Sequence, residues 1–211
     1  MERRTRSANA KYRKHAGGYD ATTGRTRRIR RRAIELLRLG AGDTVVDVGC
    51  GTGLSFAQLE EGIGERGRLI GIEQSPDMLA IARRRVAACG WSNVTLIESP
   101  AEEAVIPGPV DALLFHFAHD ILRSSAALDN VLARARPGAR VAAAGMQYLP
   151  WWLLPANLII LAKARPYVAS LEGLGQPWSL LGPRLDAVHT ETALLGSCFI
   201  AHGRIAAESR S

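Results

Sequence analysis

The segment Val45-Val46-Asp47-Val48-Gly49-Cys50-Gly51-Thr52-Gly53-Leu54-Ser55 constrains the fold more than any other part of this 211-residue chain. A run rich in β-branched residues ends in three glycines at alternate positions, and an apolar-periodic stretch follows. Glycine adopts backbone conformations that a side chain forbids, so the pattern reads as strand, tight turn and helix. Such a turn lets a ligand lie against the backbone and meet the helix N-terminus. Three details narrow the ligand. Asp47 lies inside the end of the strand, poorly placed beside a pyrophosphate but well placed near a ligand cation. Leu54 stands where the dinucleotide fingerprint has its third glycine. Glu73 ends the next apolar run, where an acidic side chain accepts both ribose hydroxyls.

The rest of the chain repeats the same alternation. A helical stripe of Ile29, Ala33, Leu36 and Leu37 over 25–39 puts the arginines on the opposite face, and Gly40 is the expected stop. Strands are predicted at 44–48, 68–73, 93–98, 110–115 and 140–146. A helix follows the glycine turn at 54–61. Ser75-Pro76-Asp77 supplies an N-cap, a first-turn proline and a dipole-favoured carboxylate for a helix reaching Cys89, with Gly90 beyond it. Leu128, Val131, Leu132 and Ala135 mark another helix that stops before Pro137-Gly138. Strand and helix in turn imply right-handed crossovers and an α/β, doubly wound, mainly parallel sheet. Runs near 188–194 and 197–204 joined through Gly196 form an antiparallel pair at the sheet's edge.

Charge divides the chain. Residues 1–32 hold 12 Lys or Arg against Glu2 and Asp20, so of the net +7 the arm carries +10 and the body −3. Such an arm serves nucleic acid, an anionic membrane or an anionic ligand, or is a solvated tail. Cys50, Cys89 and Cys198 form no CxxC pair, which implies neither a metal site nor a disulfide framework and suits a reducing cytosol. No apolar run follows the N-terminal arginines, so no secretory signal is expected. Residues 141–162 are uncharged, but Pro150, Pro155, Gln147 and Asn157 argue for strand, loop and apolar helix rather than a membrane span. Trp151 and Trp152 suit either the core or a membrane interface. The expected organisation is a basic arm over 1–24, one domain over 25–205 and a tail over 206–211.

Ribose, a cationic amino-acid end and no phosphate describe S-adenosylmethionine. At DVGCGTG the sequence resembles the class I S-adenosylmethionine-dependent methyltransferases, and the resemblance extends over roughly 40–204. It implies a Rossmann-like sheet of seven strands with the last one antiparallel. It places Gly49, Gly51 and Gly53 under the methionine part, Asp47 at the ammonium group, Glu73 at the ribose, and Gln74 and Ser75 beside the adenine. The family often has Gly-Asp-Ala after the third strand. Here Glu98-Ser99-Pro100-Ala101-Glu102 stands there, with Pro100 at the Asp position: either Glu98 or Glu102 substitutes or that contact is absent, and the Ala101 N–H remains for the adenine edge. In some members an N-terminal Tyr-Asp pair closes over the cofactor; Tyr19-Asp20 matches it, with Arg25 available to the cofactor carboxylate.

For the acceptor, the fourth strand runs into Phe115-His116-Phe117-Ala118-His119-Asp120, where the family places residues near the sulfonium. His116 and His119 are the candidate general bases, and each is equally readable as a packed histidine. The Asn/Asp-Pro-Pro-Tyr sequence of nucleic-acid amine methyltransferases is absent. Phe117, Tyr148, Trp151 and Trp178 are the expected aromatic walls of the acceptor site. The overall pattern looks most like the small-molecule, quinone and phospholipid-headgroup branch. The expected function is therefore methyl transfer to a small-molecule or lipid-like acceptor, without a metal, in the cytoplasm or at the inner membrane surface. An RNA methyltransferase using the basic arm and a non-catalytic cofactor-binding protein are the alternatives.

Overall fold

The computed structural model describes residues 26–148 and 175–206. Along them run α1 (Arg27–Leu36), β1 (Thr44–Val48), α2 (Phe56–Ile63), β2 (Arg68–Glu73), α3 (Pro76–Cys89), β3 (Val94–Glu98) and β4 (Val110–His116). The short α4 (His119–Leu122), α5 (Ser125–Leu132), β5 (Ala135–Met146), β6 (His189–Ala193) and β7 (Cys198–Arg204) complete the chain order. The strands form one seven-stranded sheet in the order β3-β2-β1-β4-β5-β7-β6. Pairs from β3 through β5 are parallel, with Val46 opposite Ile70 and Leu113. β7 runs antiparallel to both β5 and β6. The expected seven-stranded, mainly parallel sheet with an antiparallel last strand is the one observed.

Side-chain alternation sorts the core into two layers. Val46, Val48, Ile70, Ile72, Leu113 and Phe115 face Leu122, Leu128 and Val131 of α4 and α5. Val45, Leu69, Ala112, Leu114 and Ile200 face Ile29 and Ala33 of α1, Leu59 of α2 and Leu79 of α3. Each strand residue thus feeds one layer and its neighbour the other, which is why the strands read as continuous apolar runs.

Local signals act as expected around α3. The Ser75 hydroxyl accepts from Met78 N, Pro76 opens the helix, and Gly90 closes it at φ +69°. Two boundaries differ. α1 stops at Leu36, and Arg38 rather than Gly40 takes the left-handed position after it (φ +47°). Ala135 belongs to β5, not to the preceding helix: it pairs with Val110, and the register then shifts until Ala112 meets Arg140. Gly138 at φ +77° lies within that shift, so Pro137-Gly138 bends a strand instead of following a helix. The expected arm over 1–24, the apolar helix within 141–162 and the tail lie outside the described residues, apart from the stretch of β5 to Tyr148 and residue 206.

Candidate active site at the carboxyl end of the sheet

Strand order reverses between β1 and β4, and a crevice opens there at the carboxyl ends of the strands, where open α/β sheets bind ligands. The glycine turn leaves β1 into this crevice. Gly49 N and Cys50 N both donate to Ile72 O at 2.9 Å, which clamps the turn to β2. Gly51, at φ +56°, donates its N–H to Glu73 Oε2 at 3.0 Å, and a Cβ placed on it would stand in open space. Gly53 has no such room: a Cβ there would lie 2.7 Å from the Phe56 ring.

A narrow recess of about 20 Å³ lies over the turn, lined by Arg30, Asp47, Gly49, Gly51, Ser55 and His116 among others. Asp47 is 1% exposed. Neither of its carboxylate oxygens has a hydrogen-bond partner of normal geometry among the described residues. Burial pushes its pKa up to about 7; Arg30 opposes the rise, Glu73 adds to it, and Ser55 opposes it. A carboxylate buried without partners is costly unless a ligand supplies them. Arg30 is buried too, and its charge acts on both Asp47 and His116. A cation and an anion on the walls of one recess match the carboxylate and ammonium of an amino-acid group.

The expected all-polar outer face of α1 therefore needs correction, because Arg30 turns inward beside Ile29 and Ala33. Periodicity assigns a guanidinium to solvent by default. The buried carboxylate of β1, on which its charge acts, belongs to another element that the fold brings close. Arg25 and Tyr19, the arm residues expected to reach the cofactor, lie outside the described residues.

Glu73 ends β2 with Oε1 accepting from Ser75 N at 2.8 Å and Oε2 from Gly51 N. Burial raises its pKa, and the N–H groups of Ser75, Gly51 and Gln74 oppose that rise. A carboxylate has about four acceptor positions, so capacity remains on it for a ribose hydroxyl. Gln74 is half-buried beside it. On the adenine side, Ser99 N donates to Glu73 O, and Asn130 Nδ2 donates to Ala101 O and Ala104 O, which fixes the loop after β3. Glu98 accepts from Arg83 at 3.1 Å on the exposed side.

At the end of β4 the His116 Nδ1 and Ser55 Oγ are 3.0 Å apart, and His116 Nε2 has no hydrogen-bond partner among the described residues. Ser55 stands at the N-cap of α2 but makes no capping bond. Its hydroxyl serves His116 instead, a signal invisible in the sequence because an N-cap serine is ordinary. Burial, reinforced by Arg30, holds His116 well below the usual imidazole range, so it is neutral at pH 7. Burial also pushes the Cys50 thiol well up, helped by Asp47 and Glu73, which removes it as a nucleophile. Phe117 turns the chain with φ +54°, an uncommon conformation for an aromatic residue, and its N–H donates to Ala144 O. His119 opens α4 and is buried. Tyr148 is half-buried just past β5. Trp178 packs its ring 4.9 Å from that of Phe199, against the core layer under β7. Trp151 lies outside the described residues. Among the described residues no cluster of His, Cys, Asp and Glu is arranged to hold a metal.

Comparison with known proteins follows the same line. Residues 45–138 match the family described as "Methyltransferase domain". The chain is 38% identical over 72 residues to a demethylmenaquinone methyltransferase of Shouchella clausii, covering 34% of this chain and 31% of that one. It is 33% identical over 82 residues to a protein-L-isoaspartate O-methyltransferase of Methanococcoides burtonii, covering 38% and 39%. The matches thus span under two-fifths of these relatives' lengths. A solved S-adenosylmethionine-dependent methyltransferase from Aquifex aeolicus shares the fold at a TM-score of 0.57 and 22% identity, over 83% of this chain and 89% of its own. The turn, the buried acid of β1, the acid ending β2 and the seven-stranded sheet agree with these matches: residues 45–138 are similar to a methyltransferase domain, and the described residues have the fold of a solved S-adenosylmethionine-dependent methyltransferase.

Proposed function

We propose that the protein transfers the methyl group of S-adenosylmethionine to a small-molecule or lipid-like acceptor. The observation that carries the cofactor half is the recess pairing buried Arg30 with the unpartnered carboxylate of Asp47. Two features support the acceptor class: the relative that acts on a quinone precursor, and the uncharged stretch over 141–162 with its adjacent tryptophans. The same two features and the basic arm support peripheral docking on an anionic lipid surface, each arm cation adding on the order of 1 kcal/mol. Among the described residues no helix is long and apolar enough to cross a membrane.

In this reading Asp47 holds the ammonium group, Arg30 the carboxylate and Glu73 the ribose hydroxyls. Gln74, Ala101 and Glu102 border the adenine. The bound cofactor supplies a methyl group on a sulfonium, a carbon open to in-line attack. Alignment supplies most of the rate. Phe117 and Tyr148 border the acceptor side. His116, neutral and anchored through Nδ1, offers Nε2 to orient an acceptor O–H or N–H. With so low a pKa it takes the proton only from an acceptor made acidic by losing its electrons to the methyl carbon. His119 is the second candidate for that proton.

The test is incubation of the full chain with methyl-labelled cofactor and the organic-soluble, small-metabolite and RNA fractions of a cell extract. Label in either of the first two fractions supports the proposal. Label in RNA alone overturns the acceptor class in favour of the arm-guided RNA reading. No label in any fraction, with intact cofactor binding, favours a non-catalytic binding protein. Co-sedimentation with anionic against neutral vesicles checks the docking separately; equal, negligible binding at low salt removes it.

A further inference from the structure

A second cavity lies at the opposite rim of the sheet, about 250 Å³ in volume, where β5 begins, β7 ends and α1 gives way to the loop at Arg38. Its walls hold Arg38, Arg140, Arg204, His189 and His202 against the single carboxylate of Asp186. These residues come from α1's C-terminal turn, β5, β6, β7 and the loop before β6, so no local sequence pattern assembles them.

The cations are not equally committed. Arg140 is tied down: it donates to Asp43 Oδ2 at 2.9 Å and to the carbonyls of Asp111 and Arg38. It forms a rigid floor. Arg204 gives one N–H to Gly138 O, and among the described residues no other side-chain bond of Arg204, nor any of the Arg38 side chain, is made. Arg38 also sits in the left-handed region at the position where helices prefer glycine. That conformation is held by Arg140, which bonds the Arg38 carbonyl. The His189 and His202 rings stack with centroids 5.3 Å apart and planes 27° apart. Two imidazoles so close repel when both are protonated, unless an anion lies against them.

We infer that this cavity is a binding site for the phosphate group of a small phosphorylated ligand, held by Arg38, Arg204 and the His189–His202 pair over the Arg140 floor. Guanidinium forks match the oxygens of a phosphate, and four donors converging from β6, β7 and the loop after α1 match its several acceptors. The site is separate from the methyl-transfer crevice and does not depend on its assignment. Binding is coupled to protons. In the unliganded protein burial and the charges of His189, Arg32 and Arg38 hold His202 below its usual range, with Glu191 of β6 opposing them. The β5 neighbour opposite His202 is the uncharged Ala142. A bound dianion reverses the balance, so His202 takes up a proton and the ligand binds more tightly as pH falls.

The experiment follows the His202 ring signal by NMR in the full chain, with inorganic sulfate as a phosphate stand-in whose own charge is constant from pH 5 to 9. Saturable binding that raises the His202 pKa by about one unit is expected. Arg38→Gln and Arg204→Gln, both at exposed positions, each weaken sulfate about tenfold with unchanged melting temperature. His202→Gln removes the pH dependence. Adenosine monophosphate binding more tightly than sulfate marks a nucleotide-type ligand; equal binding marks recognition of the phosphate group alone. A shift that never saturates, that chloride reproduces at matched ionic strength, or that survives in both arginine variants overturns the site.

Discussion

Asp47 shows how one residue couples stability to ligand binding. Its pKa rises from about 4 in the unfolded chain to about 7 in the fold. Between those values the folded protein keeps a proton that the unfolded chain has released, so stability falls as pH rises through that window and levels off above it. Asp47→Asn is expected to stabilise the ligand-free protein at pH 8 by on the order of 2–4 kcal/mol, a gap that closes toward pH 4. In the same variant cofactor affinity drops, and the rise of wild-type affinity from pH 6 to 7.5 disappears. Thermal melts and calorimetric titrations across that range check both signs. Arg30 gives a complementary test. Arg30→Met is expected to weaken S-adenosylhomocysteine about tenfold or more, while methylthioadenosine, which lacks the amino-acid end, binds as before. Equal losses for both ligands would show that Arg30 supports the fold and not the carboxylate.

At the scale of elements, the glycine turn is a strand end, a clamp and a helix start at once. Its three glycines have positive φ, yet they are not interchangeable. Gly53→Ala drives a methyl into the Phe56 ring under α2 and is expected to cost about 2 kcal/mol or more in stability. Gly51→Ala meets no atom; it is expected to cost about 1 kcal/mol in backbone strain. That variant should lose far more in cofactor affinity, because the methyl occupies the space above the turn. Denaturant melts and titrations on the two variants separate the effects. Much of this element was legible beforehand. The bounds of β1 and β2 follow from runs that are apolar on both faces, and those of α3 from Ser75, Pro76 and Gly90, whose local chemistry leaves little choice. The end of α1 was not legible. Gly40 looked like the stop, but the fold halts the helix earlier by packing Leu37 and holding the Arg38 carbonyl with Arg140.

For the whole molecule, one rim gathers Asp47 from β1, Glu73 from β2, His116 from β4 and Arg30 from α1. Helices on both faces support them, so binding at that rim stabilises the entire sheet. S-adenosylhomocysteine at a hundred times its Kd is expected to raise the melting temperature by about 5–10 °C. Differential scanning calorimetry reads the rise directly; none at saturation would mean that the crevice does not bind this ligand in the folded state. The long-range ion pair of Arg32 with Glu191, 2.6 Å at its shortest, ties α1 to the edge strand β6. Both partners are half exposed, so its contribution is small, and it acts on where α1 lies more than on how stable the fold is.

Sequence alone determined the alternation of strands and helices, the antiparallel pair at the end, and the positions of Asp47 in β1, Glu73 at the end of β2 and the three glycines in the turn. Each of these is set by neighbours within a few residues, through apolar period, capping and the steric freedom of glycine. Tertiary structure alone decided which arginine of α1 turns inward, that Ser55 serves His116 instead of capping α2, that Arg83 draws Glu98 away, and that Trp178 packs on Phe199. Those outcomes depend on charges and rings brought together from distant positions. A helix periodicity cannot distinguish an arginine facing water from one facing a buried carboxylate, because the carboxylate belongs to another strand.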